Sequence, residues 1–254
     1  GTVPERSGEC PPTHQRKNKK TMNPSPSLAG LSDIEALDRV PLEQRDLPSS
    51  TYELLQRSAQ RHGQRIALSC LLHGSAAEGP LRISYAELFA DITRAANAFH
   101  ELGIGPGDVV AFLLPNLPET HFTIWGGEAA GIVMAITPLL EAPQIAELLR
   151  AARAKLVVTL SPTPGSDLWE KLASQLDSLP DVRDVVWANM APYVPMLPAL
   201  ALRGMALRER LRQRRWRIHD LRALMRRQPG NRLISGRQIR ADEPSSYFCT
   251  GGTT

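Results

Sequence analysis

Residues 109–187 alternate between short, entirely apolar runs and longer segments with helical spacing, and this alternation limits the possible folds more than any other feature. A strand that is apolar along its whole length must be buried on both faces, which is typical of parallel sheets covered by helices on both sides. The predicted elements are strand Val109 to Leu114, helix Glu119 to Ala130, strand Ile132 to Ile136, helix Ala142 to Arg153, strand Leu156 to Leu160, helix Asp167 to Asp177 and strand Val182 to Trp187. The sequence therefore predicts an α/β fold with a mostly parallel sheet flanked by helices on both faces.

Two serines mark helix starts ahead of this series. Ser50 and Ser84 each precede a glutamate by three residues, which is the spacing of a capping box. The helix that follows Ser84 keeps its apolar period up to Gly103, which supplies a stop signal. Between the two helices, Ile66 to Leu72 and Leu81 to Ser84 are predicted to pair as a hairpin.

Residues 1–30 are rich in Pro, Ser and Lys and have no apolar period, so they are predicted to form a disordered leader. They also lack the apolar core of a secretory signal. Met22 is a plausible natural start, which makes residues 1–21 candidates for a non-native extension.

The formal net charge of +4 comes from one segment. Arg203 to Arg227 contains ten arginines against Glu209 and Asp220, while the rest of the chain is acidic on balance. Leucines at helical spacing within this segment predict a basic amphipathic helix over at least part of it. Two interpretations remain open, a solvated basic face on a surface insert or attraction to an anionic membrane surface. Nucleic acid is not an expected partner, because Trp216 is the only interleaved aromatic residue.

The cysteines and apolar runs favour a reducing, cytosolic setting without a membrane span. Cys10, Cys70 and Cys249 are far apart and form no metal-binding pattern. The best apolar run, Ile124 to Leu140, is interrupted by Glu128 and by a proline.

No catalytic constellation is recognisable among the titratable residues. The six histidines have neither metal-ligand nor triad spacing and are predicted to be surface or satisfied core residues. Four acidic residues are predicted to be caps and turn residues rather than acid–base pairs: Asp33, Glu35, Asp108 and Glu119. Hydrolase and dehydrogenase functions lack support, because neither a G-x-S-x-G nor a G-x-G-x-x-G motif is present.

The last residues have the composition of an anion-binding loop. Tyr247 to Cys249 are predicted to end a short strand, and the chain continues with Thr250, Gly251, Gly252, Thr253 and Thr254. Glycines allow positive φ and a close approach of N–H groups to an anion, and threonines add hydroxyl donors. An ordinary turn is an equally good interpretation of this stretch alone, and the lysine of a Walker A loop is missing.

This ending resembles the first half of the phosphate loop of the adenylate-forming enzymes, which include acyl-CoA synthetases, adenylation domains and luciferases. Three earlier stretches resemble motifs of the same family in the same order. They are Ile83-Ser84-Tyr85-Ala86-Glu87-Leu88, a "G-x-x-x-G-D-x-V…N-x-P-E" pattern formed by Gly103, Gly107, Asp108, Val110, Asn116, Pro118 and Glu119, and an "A-G…P" pattern formed by Ala130, Gly131 and Pro138. Two positions depart from the family pattern, since Gly127 replaces an alanine and Gly251 replaces a frequent serine. Residues 116–138 look most like bacterial fatty acyl-CoA synthetases.

The resemblance implies the N-terminal part of the adenylate-forming fold, truncated. Residues 31–254 would form a partial N-terminal AMP-binding domain with a basic insert at about 203–227. Its implied partners are ATP, Mg²⁺, CoA and a fatty acid or other carboxylate, in a cytoplasmic protein with optional peripheral membrane contact. The carboxylate would attack the α-phosphorus of ATP to give an acyl-adenylate and pyrophosphate, after which the CoA thiol would displace AMP.

Within this chain the resemblance assigns only phosphate binding, to Thr250, Gly251, Gly252, Thr253 and Thr254. The family's adenine pocket, metal-binding acid and catalytic lysine come later, so no catalytic residue or metal ligand is assigned and the chain alone is expected to be inactive. Alternatives are a piece of a fatty acyl-AMP ligase or a carrier-protein adenylation domain, or a non-catalytic piece that binds membranes through Arg203 to Arg227.

Overall fold

The computed structural model describes residues 30–41, 44–71, 79–213 and 215–249, and the chain divides into two compact units, Gly1–Leu47 and Pro48–Thr254. In the first unit the described part holds helix α1, Leu31–Asp38. Asp33 caps this helix as predicted, because its carboxylate accepts a hydrogen bond from the Gly30 amide at 3.3 Å. The predicted leader lies outside the described residues except for Gly30.

The second unit contains the alternating elements predicted from the sequence. Its helices are α2 Thr51–His62, α3 Tyr85–Glu101, α4 Pro118–Ala130, α5 Ala142–Ala151, α6 Leu168–Ala173, α7 Met196–Arg212 and α8 Leu221–Met225. Its strands are β1 Ile66–Cys70, β2 Leu81–Ser84, β3 Val109–Leu113, β4 Ile132–Ala135, β5 Leu156–Leu160, β6 Asp184–Ala188, β7 Arg217–Asp220 and β8 Ser246–Tyr247. Single 3₁₀ turns occur at Leu176–Ser178 and Ala191–Tyr193.

Six strands form one sheet in the order β7-β6-β5-β3-β4-β8, and each neighbouring pair is parallel. Connections between parallel strands are right-handed in nearly all folds. The step from β3 to β4 and the step from β4 to β5 run in opposite directions across the sheet, so α4 and α5 lie on opposite faces. Helix α3 packs on α4 and α8, whereas α5 packs on α6. The predicted parallel sheet with helices on both faces is confirmed.

The predicted hairpin is confirmed as well, since β1 and β2 pair in antiparallel fashion. Strand β1 ends at Cys70, and Leu72 lies outside the described residues. Ser84 and Glu87 form the predicted reciprocal capping box. At α2 the box is incomplete, because the Glu53 carboxylate bonds to the amide and hydroxyl of Ser49 instead of returning to Ser50.

One predicted helix is shorter than its pattern. The helix expected over Asp167 to Asp177 ends at Ala173 and is followed by the 3₁₀ turn at Leu176–Ser178. The hydroxyl of Ser174 donates to the Lys171 carbonyl at 2.8 Å, and that of Ser178 donates to the Gln175 carbonyl at 2.7 Å. Such local side-chain bonds compete with the helical backbone ladder, which explains the early end.

The arginine-rich segment, expected as one basic insert at about 203–227, has two structurally different parts. Its first part lies on α7, which is the predicted basic helix. Its second part supplies β7, which pairs with β6 along the sheet, and α8, whose Leu221 is fully buried. The surface-insert interpretation is therefore wrong for residues 217–225, because an edge strand and its covering helix are part of the core.

The core depends on a close approach of α3 and α4 at Gly126. A Cβ atom at this position would lie 2.8 Å from the Ala95 Cβ and 3.1 Å from the Ile92 carbonyl oxygen. Both neighbouring residues are fully buried, so neither helix has room to give way.

We predict that Gly126→Ala lowers the free energy of unfolding by about 1–3 kcal/mol, because the added methyl group overpacks the contact between α3 and α4. Gly204→Ala is the matched control, since a Cβ at Gly204 on the exposed side of α7 meets no atom within 4 Å. The control should raise the free energy of unfolding by about 1 kcal/mol through helix propensity. Urea unfolding measures the free energy of unfolding of both variants. Equal effects of the two changes would show that the contact between α3 and α4 at Gly126 is not tightly packed.

Candidate functional site

All strands of a parallel sheet end at the same edge, and ligands of open α/β sheets bind outside that edge. Strand β8 is the last described strand of this sheet along the chain. It pairs with β4 through Ser246 opposite Val133 and Tyr247 opposite Met134, and the Val133 amide donates to the Ser245 carbonyl at 3.0 Å. After β8 the chain leaves the sheet at its carboxyl edge.

The described chain ends just before the predicted phosphate loop. Phe248 and Cys249 follow β8 and are exposed. Thr250, Gly251, Gly252, Thr253 and Thr254 lie outside the described residues, so phosphate binding by these residues stays a prediction. The structure shows that the residues leading to them are at the edge where such a loop could meet a ligand.

Arg237 anchors the approach to β8. Its side chain is 8% exposed, and its guanidinium donates to the carbonyl of Ala129 at 3.3 Å and to that of Glu128 at 3.5 Å. These carbonyls end α4, where the helix dipole favours a cation. The same guanidinium pairs with Glu243 at 2.5 Å and holds the pKa of that carboxyl below its usual range. Arg237 thereby ties residues 237–243 to the end of α4.

Asn97 on α3 anchors the preceding loop. Its side chain is 1% exposed, and its amide nitrogen donates to the carbonyls of Pro229 and Arg232, each at 2.9 Å. Its amide oxygen accepts from the Ile234 amide at 2.9 Å. One buried side chain thus satisfies three backbone groups of a segment more than 130 residues later, which fixes the path of that loop toward β8.

A cavity of about 200 Å³ lies beside this approach, between the start of α2, the end of α4 and residues 237–245. Drug-sized ligands occupy cavities of about 300–1,000 Å³. The cavity also borders Ser245, at the start of β8 rather than at its carboxyl end. The cavity therefore lies at the opposite end of β8 from the predicted phosphate loop.

An ionic network lies at the carboxyl edge of the sheet, in the segments that follow β3, β6 and β7. Glu119 in the first turn of α4 is fully buried, and it accepts hydrogen bonds from the Tyr193 hydroxyl at 2.8 Å and the Arg222 Nε at 2.6 Å. Arg222 also donates to the Tyr193 oxygen. Burial and the Glu119 charge raise the pKa of the Tyr193 hydroxyl, which keeps it protonated as a donor.

This network corrects the prediction for Glu119. The residue lies at a helix start as expected, but its carboxylate is a buried ion-pair partner rather than a simple cap. Loss of Arg222 would leave the buried Glu119 charge without its ion-pair partner, so the network is a structural support of the edge. Glu119 and Arg222 are more than 100 residues apart, and no sequence spacing connects them.

Asp108 is a turn residue, as predicted. Its carboxylate accepts from the Gly105 amide at 3.0 Å and pairs with Lys155. Burial alone would raise its pKa, but the hydrogen bonds from Lys155 and Gly105 outweigh it and lower the pKa. His219 is satisfied as well, since its Nε2 lies 2.7 Å from an oxygen of the buried Asp184.

In the part of the chain that the structure describes, no group of three or more His, Cys, Asp or Glu side chains could hold a metal ion. In the same residues no helix combines the length and apolar character needed to cross a membrane.

Comparison with known proteins decides the family. The sequence model of the family described as "AMP-binding enzyme" matches residues 55–254. The chain belongs to this family. The family's N-terminal fold is the parallel sheet with helices on both faces described above, and its members include CoA ligases.

Several curated relatives of this chain are longer CoA ligases. A marinolic acid–CoA ligase of Pseudoalteromonas sp. is 31% identical over 227 residues, which cover 89% of this chain and 31% of that protein. A crotonobetaine/carnitine–CoA ligase of Escherichia coli is 38% identical over 102 residues, which cover 40% of this chain and 19% of that protein. The chain therefore spans about a third or less of the length of these relatives.

Solved structures share the fold at low sequence identity. A long-chain fatty acid–CoA ligase of Archaeoglobus fulgidus has a TM-score of 0.60 and 16% identity, with 81% of this chain and 35% of that chain covered. An anthranilate–CoA ligase in complex with anthranoyl-AMP has a TM-score of 0.56 and 17% identity, with 79% of this chain and 31% of that chain covered.

We predict that Asn97→Leu lowers the free energy of unfolding by about 2–4 kcal/mol, because three backbone groups lose their partners. The loss should loosen β8 first, so hydrogen exchange of the Val133 amide should accelerate while the amides of β5 and β6 stay protected. Glu101→Gln is the control on the same helix, since its exposed carboxylate also contacts this loop through Gln228. A Val133 amide that remains fully protected would show that Asn97 does not hold β8 in place.

Proposed function

We propose that this chain is the N-terminal part of an ATP-dependent, AMP-forming fatty acyl-CoA ligase. The strongest support for this proposal is the family match over residues 55–254. The chain also leaves the sheet after β8 at the carboxyl edge, just before the predicted Gly/Thr loop. In this proposal, residues 31–254 form part of the AMP-binding domain.

The proposed chemistry begins with a carboxylate that attacks the α-phosphorus of ATP and releases pyrophosphate. Negative charge grows on the phosphate oxygens during this step, and preorganised backbone amides and hydroxyls stabilise it. Thr250, Gly251, Gly252, Thr253 and Thr254 are the proposed donors. Mg²⁺ would neutralise phosphate charge in the same reaction, but the described residues offer no carboxylate cluster for it, so no magnesium ligand is assigned.

A fatty acid is the proposed substrate, because residues 116–138 resemble bacterial fatty acyl-CoA synthetases. Other carboxylates remain alternative substrates, since one relative is a marinolic acid–CoA ligase and another, from Arabidopsis thaliana, is a 4-coumarate–CoA ligase. A fatty acyl-AMP ligase or a carrier-protein adenylation domain would use the same first step and differ in the acceptor. Because long-chain fatty acids partition into bilayers, we also propose that the protein is cytoplasmic and contacts membranes peripherally.

The test is pyrophosphate release with ATP, Mg²⁺ and a long-chain fatty acid. The 254-residue chain should release none above background, because the residues beyond the phosphate loop are required for adenylation. The chain extended by the coding sequence that follows Thr254 should release pyrophosphate and, with CoA added, form acyl-CoA. Clear release by the 254-residue chain would overturn the expected inactivity, and acyl-AMP without acyl-CoA would favour the acyl-AMP ligase alternative.

In the extended chain, Gly252→Val should lower kcat/KM for ATP by about 10²-fold or more, because it removes the close backbone approach to the phosphates. Gly79→Val is the matched control, since Gly79 is exposed and a Cβ added there would meet no atom within 4 Å. Equal activity of the two variants would contradict the phosphate-loop assignment.

A further inference from the structure

Helix α7 has an apolar face that nothing in the described protein covers. Its opposite face is buried, where Ala199 and Leu202 pack against Ala191 of the 3₁₀ turn. Five apolar side chains of α7 are each at least 54% exposed: Met196, Leu197, Leu200, Leu207 and Leu211. We call these five side chains the α7 stripe.

The α7 stripe runs along one side of the helix. Met196, Leu200, Leu207 and Leu211 follow one another at steps of four, seven and four residues, which keeps them on one side at 3.6 residues per turn. Gly204 lies on the same line, and a Cβ there would be in open space.

Arginines border the α7 stripe on both sides. By the same helical geometry, Arg203 and Arg210 lie along one side and Arg208 and Arg212 along the other, and all four are exposed. Arg212 pairs with the single acidic residue of the helix, Glu209, at 3.4 Å. The exposed surface of α7 is thus apolar in the middle and cationic along both borders.

This pattern matches a helix that lies in the plane of a lipid surface. The apolar side chains would enter the boundary of the acyl chains, and the arginines would reach outward to phosphate and carboxylate headgroups. A second copy of this chain fits less well, because a two-fold contact through the α7 stripe would place arginine rows of both copies near each other.

We propose that α7 is a docking surface for an anionic lipid bilayer. The proposal rests on the peripheral membrane contact proposed above, and it adds the surface and the lipid class. Its apolar residues give depth of insertion, while its arginines select anionic headgroups over zwitterionic ones.

The experiment is co-sedimentation of the 254-residue chain with vesicles of phosphatidylcholine alone or of phosphatidylcholine mixed with phosphatidylserine. The partition coefficient should be higher by about tenfold or more on the anionic vesicles and should fall as salt is added. The double change Leu200→Ser with Leu207→Ser should reduce it by about tenfold or more, and Gly204→Leu should increase it. Leu139→Ser, at a leucine that is 88% exposed outside α7, should leave it unchanged.

Equal binding to both kinds of vesicle would overturn the proposal, and so would binding that the double change leaves intact. Absence of binding combined with a dimer in sedimentation velocity that the double change dissolves would assign the α7 stripe to contacts between copies instead. The assay contains neither ATP nor fatty acid, so its outcome is independent of whether the ligase proposal holds.

Discussion

The parallel pairing of β3 with β4 and β5 is the constraint on which the rest of the structure depends. Every residue of β3 is buried, and its neighbours extend the sheet in both directions from it. Because all six strands run the same way, the segments that follow them meet at one edge. That edge receives the start of α4, the turn at Ala191–Tyr193, the start of α8 and the chain beyond β8.

Polar contacts buried behind this edge hold it in shape. The Glu119 carboxylate unites segments that follow three different strands, through Tyr193 and Arg222. Asn97 and Arg237 have a different role, because they fix the long connection from α8 to β8. Strand β8 itself contributes only two residue pairs to the sheet, so its position depends on these side chains more than on its own ladder.

Much of this fold could be predicted from the sequence, because its elements are set by local patterns. The apolar runs at Val109–Leu113 and Leu156–Leu160 and the capping box at Ser84 are short-range signals that tertiary contacts reinforce. The functional supports could not be predicted in this way. Asn97 carries no sign in the sequence that it will bind a loop 132 to 137 residues later. The prediction of a basic insert failed for a similar reason, since the composition of the arginine-rich segment does not reveal that Arg217–Asp220 pairs with β6.

Amide NMR during a titration with Mg²⁺ and ATP tests the phosphate-binding role proposed for the loop that follows β8. The amide resonances of Gly251 and Gly252 should shift in a saturable way, together with those of the neighbouring threonines, while amides of α7 should not move. Saturable shifts elsewhere in the protein without any change at these two glycines would contradict it.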